Sequence, residues 1–246
     1  MAPVRIAEGV YRLGSSLINW YLVEDGGRFT VVDAGLPGYR SQLDDALAEL
    51  GGSVGDVEAI VLTHAHVDHV GFAESLRAET GVPVLVHPGD EKMARTTKTP
   101  MGERGPLPYL WRPQVWQLLL HGALNGGVKQ HGITELRTFE DGEELDVPGR
   151  PHVVHTPGHT RGSCSLHLPD RSALLVGDAL CTRNPMTGRE GPQIMPASFT
   201  VDVAGALAAL ERIEAVDADV MGFGHGDPWT GGTAAAVTRA RELGPS

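Results

Sequence analysis

Apolar and polar positions fall into short runs along the chain, and their period shifts between that of a strand and that of a helix. Asn19 to Glu24 and Phe29 to Asp33 are runs of strand length separated by Asp25-Gly26-Gly27. That turn sequence suits positive φ, so the two runs are predicted to form a hairpin. Ser41 stands at a helix N-cap position, Leu43, Leu47 and Leu50 recur on one helical face, and Gly51-Gly52 ends the element. Ala59 to Leu62 is a short continuous apolar run, the pattern of a buried strand. Phe72 to Thr80 predicts a further helix and Val84 to Val86 a further strand.

The second half repeats the style. Val153 to His155, Cys164 to Leu168 and Ala173 to Val176 read as strands, Val203 to Ala215 as a helix, and Val220 to Phe223 as the last strand. Gly232 to Leu243 supplies a closing helix rich in Ala and Arg. Two strand-rich halves of similar plan predict two sheets packed face to face with helices outside, although no sequence repeat is visible. Between the halves, residues 91–134 break the pattern. Leu107-Pro108-Tyr109-Leu110-Trp111-Arg112-Pro113 and Val115-Trp116-Gln117-Leu118-Leu119-Leu120 hold two of the four tryptophans. Such stretches are too apolar for a solvated loop, so a helical lid, a partner surface or a helix packed on its own domain is predicted there.

At 246 residues the chain fits one large domain spanning 1–246. Twenty Lys and Arg stand against 31 Asp and Glu, a formal charge of -11 that no basic run offsets, so a nucleic-acid partner is not expected. The opening Met-Ala-Pro-Val-Arg-Ile has no apolar leader core, and no stretch approaches the ~18 apolar residues that span a bilayer. A cytoplasmic location with no membrane partner is therefore expected. Two cysteines are too few for a disulfide framework. Cys164 sits in an alternating run and is expected as a small buried strand residue, whereas Cys181, three residues after Asp178, is a candidate to line a site there.

Directly after the run Ala59 to Leu62 comes Thr63-His64-Ala65-His66-Val67-Asp68-His69. If the chain stays extended through the first step, the period of two points His64 and His66 to one side, where both can chelate one ion. A turn into the next helix brings Asp68 and His69 toward a second ion about 3.5 to 4 Å away, the usual spacing of two-metal sites. Left without a cation, three histidines and an aspartate at a strand end would be polar groups short of partners in a poorly solvated place. Three later segments each place a ligand-type residue in a turn after a predicted strand: His159 beyond Pro157-Gly158, Asp178 beyond Gly177, and His225 beyond Gly224. The remaining histidines, His87, His121, His131, His152, His155 and His167, match no ligand pattern; His87 or His121 could reach a pocket, with surface or core roles the default.

These residues carry a resemblance. His64-Ala65-His66-Val67-Asp68-His69 matches the His-x-His-x-Asp-His signature of the metallo-β-lactamase fold superfamily, and Asp33, His159, Asp178 and His225 match its remaining motifs in order. The resemblance covers essentially the whole chain outside the insertion. It implies an α+β fold, an αββα sandwich of two mixed β-sheets flanked by helices, with metals at one edge of the paired sheets. It further implies that His64, His66 and His159 bind the first of two divalent ions, that Asp68, His69 and His225 bind the second, and that Asp178 bridges them. Zinc is the expected metal, although a ligand set of nitrogen and oxygen suits iron or manganese alike. Asp33 is implied as an anchor that hydrogen-bonds the ligand loop, supported by Thr63 and Thr160.

The implied chemistry is hydrolysis. Two divalent ions lower the pKa of a shared water far below that of bulk water, toward about 7, and polarise a carbonyl, and Asp68 is placed to accept and return the proton. Among branches of the superfamily, diiron reductases usually carry a carboxylate where His66 stands, nucleases carry basic arms, and true β-lactamases usually lack the bridging aspartate. The glyoxalase II and lactonase-like branch is similar in its metal motifs, but the glutathione-binding C-terminal helices of glyoxalase II have no counterpart in the twenty or so residues after His225. A small ester, thioester or lactone is thus the expected small-molecule substrate, with Trp111 and Trp116 of the insertion as candidate substrate anchors or the insertion as a homodimer surface. Two rival readings share the histidine set: a mononuclear iron dioxygenase acting on a persulfide, and a metal-bound module without catalysis.

Overall fold

The computed structural model describes residues 2–128 and 131–245. Four antiparallel strands open the chain, β1 (Val4–Ala7), β2 (Val10–Gly14), β3 (Asn19–Asp25) and β4 (Arg28–Val32). The β3–β4 connection is the expected hairpin. Asp25 pairs with Arg28, and Gly26 and Gly27 take φ of +60° and +78°, as a two-residue type I′ turn requires. Pairing then turns parallel, which demands crossovers, and helices supply them. Helix α1 (Arg40–Glu49) leads to β5 (Val57–Val61), and α2 (Ala73–Thr80) leads to β6 (Val84–Val86). After α3 (Pro88–Thr96) and α4 (Pro113–Leu124), β7 (Arg137–Thr138) completes a seven-stranded mixed sheet in the order β1 to β7.

The second sheet starts with β8 (His152–His155), β9 (Cys164–Leu168) and β10 (Ala173–Leu175). A separate hairpin of β11 (Cys181–Arg183) and β12 (Glu190–Gln193) and helix α5 (Val203–Glu214) precede β13 (Val220–Gly222), and α6 (Thr233–Leu243) closes the chain. The order is β13-β10-β9-β8, with β10 and β13 parallel and the others antiparallel.

Period-two alternation builds the layers. On β3, Trp20 and Leu22 join the cluster that includes Leu43, Leu47, Phe72 and Leu76 of the α1 and α2 region, while Tyr21 and Val23 face the second sheet with Val153, Leu166 and Leu175. On β10, Leu174 turns the other way, toward Leu210 and Ile213 of α5 and Val237 of α6. The αββα sandwich of two mixed sheets is thus formed, as expected.

Some boundaries differ. Ser41 does not cap α1, because a 3-10 turn at Pro37–Tyr39 runs straight into the helix and puts Tyr39 at the cap without a side-chain bond. The segment expected as an insertion over 91–134 starts inside α3, whose Asp90, Met93 and Ala94 are buried; residues 129 and 130 lie outside the described ones. Strands β1, β2, β7, β11 and β12 are additional to the expected elements. Among the described residues, no helix is long and apolar enough to cross a membrane.

Candidate metal centre

Every expected ligand sits just past a strand end. β4 runs into Asp33, β5 into the segment Thr63 to His69, β8 into His159, β10 into Asp178 and β13 into His225. Two glycines allow the close approach. A Cβ on Gly224 would lie 2.0 Å from Asp178 Oδ1, and one on Gly177, at φ +53°, would lie 2.3 Å from Thr63 Oγ1.

The structure brings all seven side chains together, in three overlapping groups: His64, His66 and His159; His64, His69 and Asp178; and Asp68, His69 and His225. His159 Nε2 is 3.2 Å from His64 Nε2 and 2.8 Å from His66 Nδ1, close to the roughly 3.3 Å that separates nitrogens sharing a tetrahedral ion at Zn–N distances near 2.05 Å. Asp178 lies between the sets. Its Oδ2 is 3.4 Å from His159 Nε2 and 3.2 Å from His225 Nε2, so one carboxylate oxygen faces histidines of both groups. Asp68 Oδ2 is 3.4 Å from His225 Nε2, and the Asp68 side chain retains 21% exposure where the others are buried.

Hydrogen bonds aim the rings. Asp33 adopts φ +60°, a left-handed conformation rare for a non-glycine, and so turns its carboxylate back onto the loop. It accepts from the Thr63 backbone N–H and Oγ1, both at 2.8 Å, and from His69 Nδ1 at 2.8 Å, which leaves His69 Nε2 pointing inward. His225 Nδ1 donates to the Leu17 carbonyl, with the same result for its Nε2. Thr63 thus bonds to Asp33, whereas Thr160 bonds elsewhere.

Thr160 belongs to an anchor that the motif reading missed, Asp90. This buried carboxylate accepts from the Ala65 backbone N–H at 3.0 Å, the Gly162 N–H at 2.8 Å and Thr160 Oγ1 at 2.7 Å, tying the His64–His66 loop to the His159 loop. A strand-end carboxylate in Val86-His87-Pro88-Gly89-Asp90 was the available signal, but it stands outside the histidine cluster.

The donor set fits cations. His69 Nε2 and Asp178 Oδ1 are buried with no hydrogen-bond partner and lie 3.6 Å apart, a costly arrangement that a shared metal ion relieves. Charges are strongly biased as well. Burial pushes His64 and His159 well below the ordinary histidine value, and neighbouring imidazoles add to the effect; burial also lowers His66. Burial acts in the same sense on His69 and His225, but the carboxylates outweigh it. Asp33 and Asp178 hold His69 well above its usual value, and Asp178 lifts His225 to about 9. Asp178, which burial alone would raise, is held well below the carboxylate range by His225 and His69.

A cavity of about 290 Å³ opens onto the cluster, and His66, Asp68, His159, Asp178 and His225 lie on its wall. Helix α4 covers one side through Leu118, Leu119, Gly122 and Ala123. The two tryptophans expected to anchor substrate are not on that wall. Trp111 is 74% and Trp116 59% exposed, and Trp116 Nε1 donates to the Leu110 carbonyl at 2.8 Å, which holds the ring against the loop before α4. His121 turns to the far side of α4, against Tyr39 and Ser15, and His87 stacks on His155 with ring centroids 4.2 Å apart. Cys181 is buried beside β12 and joins neither the cavity wall nor a ligand group; burial, reinforced by Asp178, keeps its thiol protonated.

An αββα sandwich with histidine and aspartate ligands gathered at one edge of its paired sheets is the architecture of a metal-dependent hydrolase. The chain belongs to the metallo-beta-lactamase superfamily, whose sequence profile matches residues 13–225. It is 26% identical over 242 residues to the probable metallo-hydrolase YflN of Bacillus subtilis, covering 94% of this chain and 88% of that one. Among solved structures it superposes on a metallo-beta-lactamase family protein from Thermus thermophilus with a TM-score of 0.68 at 26% identity, over 94% and 78% of the two chains. A B3 metallo-beta-lactamase with an active-site glutamic acid superposes with a TM-score of 0.69, over 99% and 88%; at 21% identity, that likeness concerns the fold.

Proposed function

We propose that the protein hydrolyses a small ester, thioester or lactone with the help of two divalent ions, zinc in the first instance. His64, His66 and His159 would hold one ion, Asp68, His69 and His225 the other, and Asp178 both. Bound there, the ions supply Lewis acidity, which acidifies water and polarises the carbonyl. The carrying observation is the position of Asp178 Oδ2, within 3.4 Å of histidines from both groups. Asp68 lines the cavity and is the partly exposed member of the cluster, so it is the group placed to take the proton of the attacking water. The water oxygen then bonds to the acyl carbon, the acyl–oxygen or acyl–sulfur bond breaks, and Asp68 returns the proton to the leaving group.

The reading further includes a cytoplasmic location and a second copy of the chain against the exposed apolar face of α4. The test is metal content with turnover. Protein from metal-supplemented medium is expected to carry close to two ions per chain, and Asp178→Ala to lose metal and hydrolysis together. Full hydrolysis with one ion per chain defeats the dinuclear reading. One iron per chain with oxygen consumed on a persulfide substrate favours the dioxygenase instead, and no turnover by metal-loaded protein favours a binding module.

A further inference from the structure

The wall of the cavity says what the non-reacting part of a substrate must be. Among the described residues, its only polar side chains beyond the five candidate ligands are Thr99 and Ser198. Among the described residues, no Lys, Arg, Asn, Gln, Tyr or Trp contributes to it. The rest is aliphatic or aromatic hydrocarbon and thioether, from Leu36 and Ile18 on one side to Met195 and Phe199 on another, with Leu118 and Leu119 of α4 as cover. Away from the candidate ligands, a carboxylate or phosphate buried among such groups loses its hydration without gaining a counter-ion from the described residues. An alkyl chain gains from the same surroundings in proportion to the area it buries.

Helix phase sharpens the picture. Leu118, Leu119, Gly122 and Ala123 recur at helical spacing and present one face of α4 to the cavity. A Cβ on Gly122 would meet no atom within 4 Å, so the space beside this residue is open. A glycine inside a helix costs about 1 kcal/mol relative to alanine, and here the missing side chain leaves room for a ligand. The cavity volume, about 290 Å³, stands at the lower end of ligand pockets and suits a chain of medium length.

Resting on the hydrolase reading, we propose that the substrate presents an uncharged, apolar acyl chain of medium length, held in the cavity lined by Leu118, Leu119 and Gly122 of α4 and by Met195 and Phe199. Acyl groups with a charged end are rejected. Chain length and terminal charge of the acyl group set specificity.

The experiment uses metal-loaded full-length protein with p-nitrophenyl acetate, butanoate, hexanoate and octanoate, and with the mono-p-nitrophenyl ester of octanedioic acid. kcat/KM is expected to rise by up to about fourfold per added methylene before levelling off. The octanedioate ester is expected to fall at least tenfold below the octanoate. Gly122→Leu, which fills open space in a helix that favours leucine, should move the optimum to shorter chains, and Leu119→Asp should erase the advantage of octanoate over acetate. Calorimetry provides a readout without turnover: octanamide should bind at least tenfold tighter than butanamide, and Gly122→Leu should weaken it. Esters hydrolysed equally at every length, or an octanedioate ester as good as octanoate, overturn the acyl-chain proposal and leave the hydrolase reading standing. Selective octanamide binding without hydrolysis of any ester, acetate included, does the reverse. Equal binding of the two amides overturns the proposal whatever the turnover.

Discussion

Within the candidate metal cluster, five histidines share one fold but not one charge state. His64, His66 and His159 lose their protons readily because burial and neighbouring imidazoles disfavour the cation, whereas His69 and His225 keep theirs beside Asp33 and Asp178. The two kinds of shift act on stability in opposite directions. Below the ordinary value of 6.5, the unfolded chain takes up protons at positions 64, 66 and 159 that the folded protein refuses, so stability falls as the pH drops. Above 6.5, the folded protein still holds protons on His69 and His225 that the unfolded chain has released. That contribution is full below 6.5 and disappears as pH rises through about 9 for His225. Chelator-treated protein is therefore expected to show its highest Tm near pH 6.5, with losses at about pH 5 and about pH 9.5. A Tm that climbs steadily across this range would contradict the charge assignment.

At the level of elements, α3 does more than connect strands. Its first turn delivers Asp90, whose carboxylate fastens the loop after β5 to the loop after β8 through three hydrogen bonds. Asp90→Ala strands two buried backbone N–H groups and leaves the Thr160 hydroxyl with Ser163 Oγ alone, and each buried unpaired group costs about 1 to 3 kcal/mol. A loss of ~3 kcal/mol or more is expected in urea unfolding, together with weaker retention of metal by the His64, His66 and His159 group in competition with a chelator. Asp90→Asn, which keeps an acceptor, should recover part of both. Unchanged stability and metal retention in the alanine variant would mean that the loops hold their shape by other contacts.

On the scale of the whole molecule, the cluster takes its members from loops after strands of both sheets, so the site is complete only where the two sheets are packed together. The outer surface of α4 and the turn before it is left apolar, with Leu107, Trp111, Trp116, Leu120 and Leu124 all exposed. A patch of this kind on an otherwise acidic chain is where a second copy is proposed to sit. Wild-type protein is expected to elute as a dimer in a sizing experiment and Trp116→Glu as a monomer with its metal content intact. A monomeric wild type at tens of micromolar would remove the dimer from the reading.

Much of this was legible in the linear chain. Gly26-Gly27 dictated a hairpin, buried runs such as Ala59 to Leu62 dictated central strands, and ligand-type residues beyond strand ends marked His64, His66, Asp68, His69, His159, Asp178 and His225. These are local properties, since periodicity, turn conformation and side-chain chemistry act over a few residues. What stayed hidden depends on contacts between distant segments. Thr160 could be assigned to Asp90 instead of Asp33 only once packing had placed residues 70 positions apart within 2.7 Å. The edge strands β1 and β7 form because a neighbouring strand offers backbone partners, and β7 is only two residues long. Trp111 and Trp116 were plausible pocket residues by size alone, but the phase of α4 against the core gives the cavity Leu118, Leu119 and the open space at Gly122. A helix can be read from its own residues; the face it turns to the site is set by everything packed around it.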